Sequence, residues 1–328
     1  MAKEAAADRL RQCGPVRGGG VIARHHMRLR AWRLASACIA APLRLALALS
    51  AAVVPNSAWA IDIFPRDFIA YPEGTNLTAF YYRYSHADTL NLAGGRTITQ
   101  NTHLNVDTGI WRQIYYGDWD GYPWAAQFIL PASTVNGAIA GKQLPSVTGI
   151  NDVLVSLGIS FLPRRPDRNL GILLYTSLPT GNYRSDRTLN LGGNRWSFDT
   201  QLGYSQAIGR QFWFDAAADA ILYTLNHDAG PGHGTLAQQP SYEAQVWFSY
   251  LPDIRSSIAV GAAVHWGGAQ SINQFSTGLK TEAEQIRVTF WYAVTSAIHL
   301  SALLSHDVHV VGGYPQMIGL TLRTAFLF

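Results

Sequence analysis

The sequence predicts an all-β fold: a closed antiparallel transmembrane β-barrel of about twelve strands. Three observations predict it. Apolar and polar residues alternate with period two through most of residues 61–328. The connections between the alternating segments switch regularly between short and long. The chain ends on an aromatic residue, Phe328, in phase with the apolar face of its last segment.

The alternation is clearest at Arg195–Ile208. There Trp196, Phe198, Leu202, Tyr204 and Ile208 share one parity, and Arg195, Ser197, Asp199, Gln201, Gly203 and Ser205 the other. Residues 242–250 repeat the pattern, with Tyr242, Val246, Phe248 and Tyr250 against Glu243, Gln245, Trp247 and Ser249. So do residues 285–294, with Ile286, Val288, Phe290 and Tyr292 against Gln285, Arg287 and Thr289. Twelve such segments are expected at 76–85, 102–116, 119–130, 152–162, 169–179, 195–208, 211–225, 240–251, 254–267, 281–294, 297–306 and 316–328. Their lengths suit tilted membrane strands of about 9–11 residues plus rims. Residues 61–328 contain no run of 18 apolar residues, so no helical span is expected there.

Short connections are expected at Gly117-Asp118, Pro163–Arg168, Gly209-Arg210, Pro252-Asp253 and Thr295-Ser296, and long polar ones at 86–101, 131–151, 180–194, 226–239, 268–280 and 307–315. Outer-membrane barrels carry short turns on the periplasmic rim and long loops outside. Both barrel termini then fall on the periplasmic side, which requires an even strand number. In the last segment Ile318, Leu320, Leu322, Phe326 and Phe328 share the apolar parity. Such an ending resembles the C-terminal signal that the barrel-assembly machinery reads, which makes that machinery and the lipid bilayer expected partners.

The first 60 residues read as an N-terminal extension and export signal. Arg28, Arg30 and Arg33 precede an apolar run from Leu45 to Val54, Pro55 breaks it, and Ala58-Trp59-Ala60 places small residues where a signal peptidase reads them. Cleavage is expected after Ala60, and Met27 is a possible alternative start. Nine of the 25 Lys/Arg lie in this leader, leaving 16 basic and 19 acidic residues after position 60. The basic balance therefore belongs to the leader and argues for no nucleic-acid partner. Cys13 and Cys38 also lie there, which excludes disulfides and cysteine-ligated metals from the remainder. Residues 61–75, with Pro65 and Pro72, are expected to form a periplasmic lead-in able to plug part of the lumen, and residues 76–328 the barrel.

Aromatic residues cluster near the short connections: Tyr115, Tyr116, Trp119, Tyr122, Trp124, Phe212, Trp213, Tyr250, Trp291 and Tyr292. They read as a girdle at the headgroup level. The polar parity should face the lumen, giving Asp107, Gln113, Gln127, Arg195, Asp199, Gln201, Asp215, Asp219, Glu243, Gln245, His265, Arg287, His299 and Arg323. The charged ones at 195, 199, 215, 219, 243, 287 and 323 are the candidates for setting selectivity, or for a wall-bracing ion network. The turn at Gly209-Arg210 brings Asp199 and Asp219 near each other, where they would repel unless an arginine such as Arg195 intervenes or one takes a proton. Arg112 falls on the lipid parity, where a midplane arginine costs about 2–4 kcal/mol. A bulge or a rim position would relieve it.

At Leu178-Pro179-Thr180-Gly181-Asn182-Tyr183 the chain resembles the Pro-Thr-Gly-aromatic signature of a family of outer-membrane proteins associated with the meta-pathway of phenol degradation. Thr148–Asp152, Trp196–Tyr204 and Gly209–Phe214 agree with it, over most of residues 70–328. The resemblance implies a Gram-negative outer-membrane barrel that passes small hydrophobic or aromatic compounds, and it brings no catalytic residue or cofactor. Passive passage is expected, because the outer membrane holds no ion gradient and no nucleotide-binding motif occurs. Two other classes are a barrel lipid hydrolase using His299 and Ser301, which share a face, and a structural or adhesive barrel. The spacing of His227, His233, His306 and His309 forms no metal set.

Overall fold

The computed structural model describes residues 61–280 and 282–328. The export signal, its cleavage residues Ala58 and Ala60, and both cysteines lie outside the described residues.

Twelve barrel strands follow in chain order: β1 Asn76–Ala87, β2 His103–Trp119, β3 Tyr122–Ile139, β4 in two pieces (Lys142–Ile150 and Leu154–Ser160), β5 Arg168–Ser177, β6 Ser197–Ile208, β7 Phe212–Tyr223, β8 Ser241–Tyr250, β9 Ser256–Gly267, β10 Ala283–Ala293, β11 Ile298–Val310 and β12 Ile318–Leu327. Each pairs antiparallel with its chain neighbours. The sheet closes where β12 meets β1, from Leu77 opposite Leu327 to His86 opposite Ile318. Phe328 completes the seam: Asn76 N donates to Phe328 O at 2.8 Å, and Phe328 N donates to Asn76 O at 3.0 Å. Closure leaves no strand edge facing lipid, where an unpaired amide could find no water.

The wall is turned inside out relative to a water-soluble protein. Phe80, Trp111, Leu157, Leu174, Phe198, Leu202, Phe248, Val260, Phe290 and Leu304 are exposed on the outer face, while Gln201, Asp215, Glu243, Gln245, His265 and Arg287 are buried inside. This matches the alternation of β6, β8 and β10.

Three local expectations need correction. The first short turn is not Gly117-Asp118: pairing continues to Trp119 opposite Tyr122, and Asp120-Gly121 turns the chain with φ of 53° and 85°. Two consecutive positive φ values match the twist of a two-residue hairpin, and glycine takes the second at no steric cost. The expected loop 131–151 is instead a hairpin, closed at Ala140-Gly141 with φ of 51° and 82°. Its alternation runs with reversed polarity, apolar side inward. Val135, Ile139, Leu144 and Val147 are buried in an apolar cluster with Leu104 and Val106 of β2, and the long loops add Leu90, Leu189, Leu191 and Leu279. The third correction is in the girdle. Tyr115, Trp119, Tyr122, Phe212, Tyr250 and Tyr292 are exposed outside, but Tyr116, Trp213 and Trp291 line the lumen near the short-turn rim.

The long connections carry structure of their own. Leu90–Asn91 pairs with Thr97–Ile98. Asn226–Ala229, Gly234–Gln238, Gln270–Ile272 and Phe275–Ser276 form a small sheet that joins two loops.

Candidate functional site

Residues 61–71 run inside the lumen and are bonded to strands around it, from β1 and β5 to β8, β10 and β12. Ile63 N donates to Gln245 Oε1 at 3.2 Å, and Trp247 Nε1 donates to Ile63 O at 3.0 Å. Gln201 and Gln245 both donate to Ile61 O, at 2.9 and 3.1 Å. Arg66 N donates to Asp215 Oδ1 at 2.9 Å, and Asn169 Nδ2 donates to Phe68 O at 2.6 Å. Asp62 pairs with Arg287 at 2.7 Å and Arg83 at 3.3 Å, and Asp67 pairs with Arg323 at 3.0 Å. Ile63, Phe64 and Phe68 bury their side chains against Ala217, Trp247, Ala259 and Leu303. A segment without regular structure can lie in the lumen because the wall satisfies its peptide groups.

All the charged residues read from the sequence except Arg195 therefore gather on β6–β8, β10 and β12, under this segment. Asp219 accepts from Gln201 Nε2 at 2.7 Å. The actual register sets Asp219 opposite Gln201 and Asp199 opposite Ile221, so the two aspartates are diagonal neighbours. Glu243 meets Arg287 at 3.5 Å and His265 at 3.2 Å. Arg195 does not intervene between the aspartates: its guanidinium donates to Gln238 Oε1 and stacks 4.6 Å from the Tyr223 ring, toward the long loops.

Asp107 and Gln113 point outward, contrary to the sequence reading. Tyr82 OH, on the outer face, donates to Asp107 Oδ1 at 2.6 Å, and Thr78 bonds Gln113. On β2 the inner parity is Val106, Thr108, Ile110, Arg112 and Ile114. Arg112 thus faces the lumen without a bulge, and its lipid-side penalty disappears. Its Nε donates to Gln127 Oε1 at 2.9 Å and its Nη1 reaches Tyr81 OH at 3.5 Å, and no carboxylate among the described residues pairs with it. Sequence reasoning missed Tyr81, Arg83, Ile110 and Arg112 as lumen residues. The arginine was the signal: a cation on a supposed lipid face marks a face assigned the wrong way round.

Open space lies on this missed wall. A cavity of about 180 Å³ toward the long loops is lined by Val106, Ile110, Ile129, Leu154 and Leu303, with Arg83 and Arg112 as its cations. A cavity of about 520 Å³ opens near the short-turn rim, bordered by Tyr71, Tyr116, Arg164, Trp213, Trp291 and Arg323. A third, of about 60 Å³, lies between the lead-in and β3–β5. Arg112 alone lines all three.

The Pro-Thr-Gly-aromatic stretch has a defined place. It fills the break in β4 at residues 151–153. Leu178 N donates to Val153 O at 2.8 Å, Val153 N donates to Thr180 Oγ1 at 3.0 Å, and Asn182 N donates to Ile150 O at 2.9 Å. Asp152 accepts from Gly181 N at 2.8 Å and Gly193 N at 2.7 Å. A Cβ at Gly181 would lie 2.6 Å from Gly192 Cα, so both glycines are required by close approach. Pro179 leads into this turn, and Tyr183 OH anchors its far side by donating to Asp228 O at 2.8 Å.

His299 and Ser301 share the inner face of β11. His299 packs edge-on against Trp291 at 5.1 Å, while Ser301 Oγ accepts from Arg323 Nε at 3.3 Å. Among the described residues no three His, Cys, Asp or Glu side chains form a metal-binding group.

A family model described as putative MetA-pathway of phenol degradation matches residues 87–323. The crystal structure of the COG4313 outer membrane channel from Pseudomonas putida F1 is similar with a TM-score of 0.77 and 29% identity, covering 81% of this chain and 100% of that one. The beta domain of the Bordetella autotransporter BrkA matches at a TM-score of 0.46 and 10% identity, over 78% of this chain and 99% of that one. No curated protein matches the chain.

Proposed function

The chain belongs to the outer-membrane β-barrel family described as putative MetA-pathway of phenol degradation, and from that premise we propose that it is a passive channel for small hydrophobic or aromatic compounds. The observation that carries this reading is the cavity on the inner face of β1–β3, with two neighbouring cavities that share Arg112 in their lining. The upper one is larger than the apolar cavities of about 150 Å³ known to hold benzene. Val106, Ile110, Ile129, Leu154 and Leu303 give it apolar surface, and Arg83, Arg112, Thr108, Ser133 and Asn151 give it polar groups, so it can seat a small ring and bond a polar substituent on that ring. The charged half of the lumen is filled by the lead-in, which disfavours a wide aqueous pore for ions or sugars. Export with cleavage after Ala60, and recognition of Phe328 by the assembly machinery, complete the proposal.

The test uses the mature protein in vesicles with a lipopolysaccharide outer leaflet, which slows the unaided entry of aromatic solutes. Labelled phenol should enter faster than into protein-free vesicles, while arabinose should not. Equal phenol entry with and without protein would favour a structural barrel.

A further inference from the structure

We propose that the buried carboxylates of Asp199 and Asp219 form a receptor site for the α-ammonium of Ile61, the first residue of the chain once the export signal is cut after Ala60. Asp199 and Asp219 are 8% and 5% exposed, and neither has a cation partner among the described residues. Arg287 is committed to Asp62 and Glu243, Arg323 to Asp67, and Arg195 to Gln238. Two carboxylates buried without a counter-charge are costly, since neither water nor a cation repays their desolvation.

The unmet demand is for donors. Asp199 Oδ1, Asp219 Oδ2 and Gln201 Oε1 are all buried, all acceptors, and all without a hydrogen-bond partner. They surround the start of the lead-in. The Ile61 nitrogen lies beside Asp199, and Gln201 Nε2 bridges Ile61 O and Asp219 Oδ1, at 2.9 and 2.7 Å. An amide nitrogen in a continuous chain brings one proton and no charge. An ammonium at the same nitrogen brings three donors and a full positive charge. Hydrolysis of the Ala60–Ile61 bond creates that group: water adds across the amide, the carbonyl carbon of Ala60 becomes a carboxylate, and the released nitrogen takes up a proton.

Signal processing thereby acquires a second role. It supplies the counter-ion that seats the lead-in against β6–β8. A chain cut one residue earlier would place an uncharged peptide bond where the cation belongs.

Amine labelling of the native protein tests this directly. The chain after residue 60 has two lysines, Lys142 and Lys280, and Lys142 is exposed. In the unfolded chain an amine-selective reagent near neutral pH should modify the α-amine first, its ordinary pKa being about 8 against about 10.4 for lysine. In the folded barrel the order should reverse, Lys142 reacting and Ile61 staying protected. A glycine inserted between Ala60 and Ile61 should lower the unfolding temperature and raise the frequency of channel opening, and should add nothing in an Asp199→Asn/Asp219→Asn background. A mature chain beginning elsewhere than Ile61, a reactive Ile61 amine in the folded barrel, or an inserted glycine with equal effect in both backgrounds would each overturn the proposal.

Discussion

The ring of Phe68 occupies the space that a side chain at Gly203 would need: a Cβ there would lie 1.9 Å from Phe68 Cζ. This contact keys the lead-in to β6. Gly203→Ala should therefore expel the ring and loosen the segment, at a cost of about 1–3 kcal/mol for an overpacked site. Planar-bilayer recordings should show larger or more frequent openings than in the native protein. A Phe68→Ala/Gly203→Ala double variant should lose less stability than the two single changes added together, because removing the ring makes room for the methyl group.

Asp152 holds two backbone amides across the break in β4. Asp152→Ala should strand both N–H groups, each costing about 1–3 kcal/mol if it finds no water. Asp152→Asn should cost less, because its carbonyl oxygen still accepts one of them. Loop 178–196 would then leave its dock, and protease added to intact cells should cut it in the alanine variant before the native protein.

Why part of this fold was legible and part was not follows from height along the strands. On β6, β8 and β10 the apolar parity faces lipid over the whole length, so Glu243, Gln245 and Arg287 could be placed inside from sequence. β2 and β3 have 17 and 18 residues, more than a tilted span of about 9–11 requires. Near the long loops their outer face meets water, and Asn105 bonds Asn136 there at 3.1 Å, while their inner face meets the apolar cluster around Val135. One strand thus carries opposite polarity at its two ends, and a single parity rule misplaces Asp107, Gln113 and Arg112. The lead-in was legible only as a segment rich in proline. Its contacts, such as Phe68 with Gly203, join residues 135 positions apart and leave no periodic trace.

Arg112 lines all three cavities and has no carboxylate partner among the described residues, its hydrogen bonds going to Gln127 and Tyr81. Nearby, Asp67 is spent on Arg323 and on the Phe64 amide. A solute with an anionic substituent should therefore be held there by a charge-assisted bond worth about 1.5–3 kcal/mol. Arg112→Met should lower entry of benzoate relative to phenol by about tenfold in vesicle uptake, with phenol entry itself unchanged. A ratio equal to that of the native protein would remove Arg112 from the pathway.

Phe328 separates assembly from stability. Its side chain is 72% exposed, while its backbone closes the seam by bonding Asn76 in both directions. Phe328→Ala keeps those backbone bonds, so the barrel refolded in detergent should unfold within about 0.5 kcal/mol of the native one, as for other surface changes. In cells the same change should cut the folded, heat-modifiable protein in the outer membrane several-fold, because the exposed ring is what the assembly machinery would grip before the seam forms. If both quantities fell together, the ring would be acting on the folded barrel itself. If neither fell, the assembly machinery would be reading some other feature of β12, such as the apolar row from Ile318 to Phe326.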